Sequence, residues 1–323
     1  MSEYHTPVLL NESISALIDN PSGTYVDATF GGGGHTAEIL SRLSSSGRVI
    51  AFDRDSDALE NKIDDDRLTL IHNNFRFIQN YLLVEGRRKS QDGPEGDGQS
   101  PAEAAEDWKA DGILADLGVS SHQFDTAGRG FSFRYDAPLD MRMDKGRGKT
   151  AADIVNTYSE RDLETVLRLY GEVDNSRRVT RLLTEARTAK AILTTGDLYE
   201  AISGALPKTA EHKYLAKVYQ ALRIEVNQEM RSLEKFLEGA TESLRPGGKL
   251  VIITYQSLED RMVKNFIRTG NIEGVVKKDF YGNLIAPLEA INRKPILPQE
   301  SEISANTRAR SAKLRIAAKT IQA

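Results

Sequence analysis

Apolar residues along this chain fall into two rhythms. The first is a set of short, nearly unbroken runs. Tyr25, Val26, Ala28 and Phe30 make the earliest, and Val49–Asp53, Leu68–His72, Gly112–Leu117 and Lys249–Thr254 follow. Runs of this length, rich in Val, Ile and Leu and bounded by Gly, Asp or Asn, predict strands buried on both faces. Helical or loop material separates the first of them, which is the βαβ alternation of a parallel sheet in an α/β fold.

The second rhythm has helical spacing and lies between the fourth and fifth strands, across more than a hundred residues. Ser159-Glu160-Arg161-Asp162 reads as a helix start, with Leu163, Val166, Leu167 and Tyr170 on one face after it. Val179, Leu182, Leu183 and Ala186 form a second stripe, and Leu198 and Ile202 predict a third helix after Thr195. The stretch is too long for one crossover connection. It predicts a small helical domain, 129–213, inserted into the α/β domain (1–128 and 214–323). A helix over Tyr214–Leu244 would return the chain to the sheet, and Arg245-Pro246-Gly247-Gly248 would end it and launch the fifth strand. Arg88–Asp107 is polar, acidic and rich in Gly and Pro, so it predicts a disordered insertion ahead of the fourth strand.

The first strand runs into four glycines, 31–34, and then into the amphipathic segment Thr36–Leu43. Strand, glycine turn and helix in that order let backbone approach a ligand at a helix N-terminus. The second strand ends in Asp53, where nucleotide-binding folds place an acid on ribose hydroxyls. Thr36 stands where the third glycine of G-x-G-x-x-G belongs. A nucleoside-containing cofactor is therefore expected, with a dinucleotide and S-adenosylmethionine both open. A bare glycine-rich turn is the plain alternative.

Composition narrows the chemistry. There are no cysteines, and five histidines (His5, His35, His72, His122, His212) are scattered without ligand spacing, so no metal site is expected. No apolar run reaches membrane-spanning length and no leader pattern opens the sequence, which predicts a cytoplasmic protein without a membrane partner. The net charge of −4 argues at first against nucleic acid. Six of the 47 acids lie within Gln91–Trp108, however, which leaves 43 basic against 41 acidic residues elsewhere. From Asn292 to Lys319 seven basic residues face two acids. Such a tail fits phosphate contacts, and a solvated surface element explains the charge equally well.

Three segments concentrate reactive side chains. The fourth strand leads into Asp116-Leu117-Gly118-Val119-Ser120-Ser121-His122-Gln123, beyond the carboxyl end of a strand where α/β folds bind ligands. Arg129-Gly130-Phe131-Ser132-Phe133-Arg134 and Pro138–Asp144 bring aromatics, arginines and acids together. The aromatics would stack a splayed base or, on equal footing, plug the helical domain. After the fifth strand, Ser257 would cap a helix with Asp260, and Arg261 would pair with a neighbouring acid or grip a phosphate. Asn306–Ile316 alternates small and basic residues, a strand pattern with one cationic side.

Taken together, GTYVDATFGGGGHT, AFDRD, ADLGVSSHQFD, RGFSFR, PLDMRMD, SLEDR and RARSAKLRIA resemble the bacterial small-subunit (16S) ribosomal RNA cytosine-N4 methyltransferase family, in order from His5 to Ala317. The resemblance implies a Rossmann-like S-adenosylmethionine-dependent methyltransferase fold with an inserted helical domain. It implies a decoding-region cytosine of 16S rRNA in the small ribosomal subunit as substrate, and a homodimer as one assembly state open to the chain. Carried over, the cofactor contacts are Gly33, Gly34, His35, Asp53, Phe75, Asp116 and Gln123. Catalysis falls first to Asp116 with Ser120 and second to Asp140 or Asp144, because the Pro-Pro-aromatic motif of DNA amino-methyltransferases is absent here. Arg129, Phe131, Phe133, Arg134, Arg142, Arg261, Arg308, Arg310 and Lys313 would hold RNA. The chain departs from the family at Gln256, where His is usual, and in the acidic insertion. An NAD-type oxidoreductase would need the full glycine fingerprint, and a non-catalytic RNA-binding protein would leave the glycines and Asp53 without a purpose.

Overall fold

The computed structural model describes residues 7–92, 108–282 and 284–321. In chain order the elements are α1 (Leu10–Leu17), β1 (Thr24–Asp27), α2 (Gly34–Arg42), β2 (Arg48–Asp53), β3 (Leu68–His72), α3 (Ile78–Asp92) and β4 (Ala110–Asp116). Then come α4 (Ser121–Asp125), α5 (Ala151–Thr157), α6 (Glu160–Gly171), α7 (Ser176–Ala189), α8 (Thr195–Ile202), α9 (Glu211–Asn227) and α10 (Glu229–Ser243). The chain closes with β5 (Leu244–Thr254), α11 (Ser257–Thr269), β6 (Leu288–Ala290), α12 (Glu300–Ala305) and β7 (Lys313–Lys319). It divides into two compact units: residues 1–118 with 231–323, and residues 119–230.

The first unit is built on one seven-stranded sheet of order β3-β2-β1-β4-β5-β7-β6. The first five strands in that order are parallel, and β7 is antiparallel to both β5 and β6. Successive side chains of one strand point to opposite faces. Val26, Ile113 and Ile252 therefore join Phe236 on one side, while Tyr25, Leu114 and Val251 join Leu314 on the other. Burial on both faces is why these strands read as continuous apolar runs. The strand order turns back between β1 and β4, and such a switch point opens a crevice at the carboxyl ends of the strands.

The second unit is helical. Leu163, Val166 and Leu167 of α6 pack with Val179 and Leu183 of α7, Leu198 and Ile202 of α8, and Leu215, Val218 and Leu222 of α9. Helices α5, α6 and α8 start on side-chain caps: Ser159 accepts from the Asp162 N–H, and Thr150/Asp153 and Thr194/Asp197 form reciprocal boxes.

Several sequence expectations shift. The helical unit starts and ends at 119 and 230 rather than 129 and 213, because α9 contributes Tyr214, Leu215, Val218 and Leu222 to that core. The single helix expected over Tyr214–Leu244 is two, broken at Gln228, whose φ of 50° is left-handed. Arg245–Gly248 does not precede β5 but forms a bulge within it, where register jumps from Ala110 opposite Leu244 to Gly112 opposite Lys249. Arg88–Asp92, expected in the disordered insertion, completes α3; the remainder of that segment, 93–107, and His5 lie outside the described residues. The residue before the first turn of α11 is Gln256, not Ser257, and its side chain makes no capping bond. Arg308 and Arg310 stand on a 3-10 turn, Thr307–Ser311, and only Lys313 onward is strand.

Candidate active site

The carboxyl ends of β1, β2 and β4 meet in one hydrogen-bonded cluster. After β1 the chain crosses to its neighbours: the Ala28 N–H donates to Leu114 O (2.8 Å) and the Phe30 N–H to Phe52 O (2.8 Å). Gly33, with φ 77°, is the N-cap of α2, in a conformation that L side chains resist. A Cβ there would also stand 3.0 Å from the Phe30 ring, and one on Gly34 would collide with Pro7. The turn is thus fixed by glycine at both positions and leaves the amino end of α2 with N–H donors. Thr36, which displaces the third fingerprint glycine, donates its hydroxyl to the buried Asp27 carboxylate (2.7 Å). Asp27 also accepts the Thr29 N–H (3.0 Å), so strand and helix are joined through it.

Asp53 ends β2. Its Oδ2 accepts the Gly31 N–H (2.7 Å) and its Oδ1 the Asp55 N–H (2.8 Å). One lone pair on each oxygen stays available, which is what two ribose hydroxyls require. Burial pushes the Asp53 carboxyl up to about 6, and the two N–H donors only partly offset that. Asn61 holds the opposite side of the turn by donating to Gly31 O (3.1 Å). Phe75 follows β3 on a 3-10 turn, half-buried and edge-on to Phe236 at 5.1 Å.

Asp116 ends β4. Its N–H donates to Thr29 Oγ1 (2.7 Å), its Oδ1 accepts from the Tyr255 hydroxyl (2.8 Å), and its Oδ2 lies 4.0 Å from His35 Nδ1. His35 is buried on α2, with Nε2 3.3 Å from Val8 O. Burial raises the Asp116 carboxyl to about 6 against the opposing pull of His35 and of the Tyr255 hydrogen bond. Tyr255, in turn, is raised well above its ordinary value by burial and by the Asp116 charge. Gln256 beside it has a buried Oε1 with no partner among the described residues.

Gly33, Gly34, His35, Asp53 and Asp116 are thus brought together, with Phe75 beyond the neighbouring strand. Sequence reading missed Asp27, Thr29, Asn61 and Tyr255. An acid inside an apolar strand, as in Val26-Asp27-Ala28, was the available signal for Asp27.

The remaining candidates divide between the two units. In the helical one, Ser120 and Gln123 form a capping box: the Gln123 N–H donates to Ser120 Oγ (3.2 Å) and the Ser120 N–H to Gln123 Oε1 (3.2 Å). Arg129 departs from its expected role on RNA. It is buried, and its Nη2 donates to the carbonyls of Arg142 and Met143, each at 3.0 Å. Phe131 is buried in the helical core, and Phe133 packs edge-on to Tyr219 at 5.3 Å, which favours the plug over the stacking platform. Arg142 grips Asp140 through Nε (2.7 Å) and Nη2 (2.8 Å). Burial would raise Asp140, but these bonds outweigh it and hold the carboxyl below its ordinary value. Asp144 accepts the Gly146 N–H (2.9 Å), and Arg134 is exposed. In the sheet unit, Arg261 and Arg310 are exposed, Arg308 is half-buried, and Lys313 reaches Asp260 at 3.4 Å.

A glycine turn after β1, an acid closing β2, a second acid closing β4 and an antiparallel β7 inserted beside β5 define a Rossmann-like S-adenosylmethionine-dependent methyltransferase. Residues 2–320 match the MraW methylase family, and the chain belongs to that family. A protein of Bacteroides fragilis named ribosomal RNA small subunit methyltransferase H is 52% identical over 316 residues, covering 98% of this chain and 97% of its own. Proteins of the same name from Flavobacterium johnsoniae (49% over 317 residues; 98% of each chain) and Christiangramia forsetii (46% over 319 residues; 99% of each chain) are likewise similar. The cofactor is S-adenosylmethionine, and the residues present fit it: a turn with no room for a Cβ at Gly33 or Gly34, the amino end of α2, and a carboxylate with acceptor capacity on both oxygens.

Proposed function

We propose that this enzyme methylates the N4 amine of a cytosine in the decoding region of small-subunit (16S) rRNA, acting in the cytoplasm on the assembled or nearly assembled subunit. The names carried by relatives at about half identity over the full chain support the RNA and the subunit. The observation that carries the amine is the Asp116–Tyr255 pair.

An exocyclic amine is a poor nucleophile because its lone pair is delocalised into the ring. An acceptor on one N–H draws it toward the pyramidal form that can attack. When bound, the cofactor would supply a sulfonium-borne methyl carbon for the amine to attack, leaving as the neutral thioether, and the methylated nitrogen would pass its proton to the acceptor or to water. Asp116 suits that work. It is anionic at neutral pH yet near 6 in basicity, its Oδ1 is fixed by the Tyr255 hydroxyl, and among the described residues its Oδ2 has His35, at 4.0 Å, as its nearest charged neighbour. Asp140 is the weaker candidate, since Arg142 occupies both its oxygens and depresses its basicity. Ser120 Oγ is engaged in capping α4. Positioning and fixed charge would supply most of the acceleration.

The test is incubation of the purified chain with unmethylated small ribosomal subunits and labelled cofactor, followed by nucleoside mass spectrometry. N4-methylcytidine at one decoding-region position is expected. Label on C5, on a ribose or on another RNA would overturn the assignment.

A further inference from the structure

Beyond α11 the chain carries an apolar surface that the methyl-transfer site does not use. Phe280 and Tyr281 are 97% and 86% exposed, and Val275, Val276, Leu284 and Ile285 are each about half exposed or more. Rings that could be buried at about 25 cal/mol per Å² are rarely left side by side in water without a partner. They stand on a short hairpin. Lys278 pairs with Leu284 in an antiparallel bridge, and the Ile285 N–H donates to Lys277 O (2.9 Å). The tip closes through the Gly282 N–H on Asp279 O (3.1 Å) and the Tyr281 N–H on Asp279 Oδ1 (2.9 Å), with Gly282 at φ 87°. The two rings stand 5.6 Å apart at 87° to one another, so each keeps an open face in a different direction. Lys277 and Lys278 are exposed on the stem directly before them, against one acid, Asp279.

We infer that this hairpin is a second RNA contact, in which Phe280 and Tyr281 stack unpaired bases while Lys277 and Lys278 hold the adjoining phosphates. The inference rests on the RNA substrate proposed above and adds a site that none of the sequence motifs marks. Aromatic faces beside cations are the common platform for single-stranded segments, because every base has a π-face and every linker a phosphate. A protein-docking hairpin would have little use for two adjacent lysines at the foot of its aromatics, and the perpendicular rings suit bases better than one flat apolar partner.

The experiment uses the full chain with Phe280→Ala/Tyr281→Ala, the aromatic-retaining Phe280→Tyr, and Lys277→Glu/Lys278→Glu. Removing the aromatics is expected to weaken the Kd for unmethylated small subunits and raise KM, each by about tenfold or more. The kcat, cofactor affinity and Tm should stay at wild-type values, and Phe280→Tyr should bind as wild type. The lysine variant should flatten the dependence of log Kd on log salt by roughly two charges. Wild-type Kd and KM in the alanine variant would overturn the hairpin alone, provided the wild type makes N4-methylcytidine in the same subunits. So would a variant whose only defect is lost self-association in sedimentation, which would assign the tip to a second copy. A wild type that neither binds nor methylates subunits would sink the functional proposal and the hairpin with it.

Discussion

Two carboxylates, at the ends of the parallel strands that flank β1, are held at a cost to the fold. Asp53 and Asp116 both sit near 6, so the folded state binds protons that the unfolded chain has already released. A raised folded value means that the stabilisation is complete below the ordinary carboxylate range and is lost as pH rises through about 6. Asp53→Asn should therefore raise the Tm of the cofactor-free protein at pH 8, by roughly 1–2 kcal/mol in stability after the weakened turn bonds are counted, with the difference vanishing near pH 4. The same substitution should weaken S-adenosylmethionine binding by about 1.5–3 kcal/mol, since a charge-assisted bond to ribose is lost. Calorimetry as a function of pH, with and without cofactor, reads both; unchanged cofactor affinity in a folded variant would remove Asp53 from the ribose. Tyr255 gives a second handle. Its hydroxyl lowers Asp116, so Tyr255→Phe should move the acid limb of the kcat profile upward from about pH 6. An acid limb that stays in place would separate Asp116 from proton acceptance.

Between elements, an ion-pair cluster ties α11 to β7. Asp260 accepts from Arg315 Nε (2.7 Å) and Nη2 (3.2 Å), and Lys313 adds a contact at 3.4 Å. Burial would raise Asp260, but the two cations win and hold it below its ordinary value. Arg315 and Asp260 are 9% and 14% exposed, so Asp260→Asn strands a nearly buried guanidinium and should cost roughly 3 kcal/mol of stability by urea titration. A loss below about 0.5 kcal/mol would mean that water already screens the pair. This contact also marks the limit of sequence reading. The alternation of Lys313 and Arg315 correctly indicated a strand with a cationic side, yet the partner lies 55 residues away and no local pattern names it. The same holds for Arg129, whose charge suggested an RNA contact and which packing turned inward, and for Phe131, which sequence left open between stacking a base and plugging the core and which packing buries. By contrast Gly33, Gly34, Asp53 and Asp116 were legible, because their positions follow from strand ends and turn sterics within a few residues. The Gln228 break left no comparable mark, since nothing in Asn227-Gln228-Glu229 demands a left-handed residue.

For the molecule as a whole, each of the two units presents exposed cationic side chains. Exposed Arg134 belongs to the helical unit, and exposed Arg261 and Arg310 to the sheet unit. A folded RNA offers many phosphates to such cations and a nucleoside offers none, so the enzyme should turn over small ribosomal subunits and leave free cytidine unmethylated. Turnover of cytidine at a rate within about tenfold of that on subunits would contradict this, because phosphate anchoring contributes several orders of magnitude in affinity. The sheet carries one more consequence, for synthesis. Strand β7 follows β6 in the chain but lies between β5 and β6. A nascent chain that has reached Ala290 has therefore made every strand but one, and still presents an unpaired β5 edge and a β6 with nothing to bind. Completion waits for Lys313–Lys319 to thread into the gap, so the last seven residues of sheet act as a keystone. Until they arrive, the open edge is the place where one unfinished chain can pair with another.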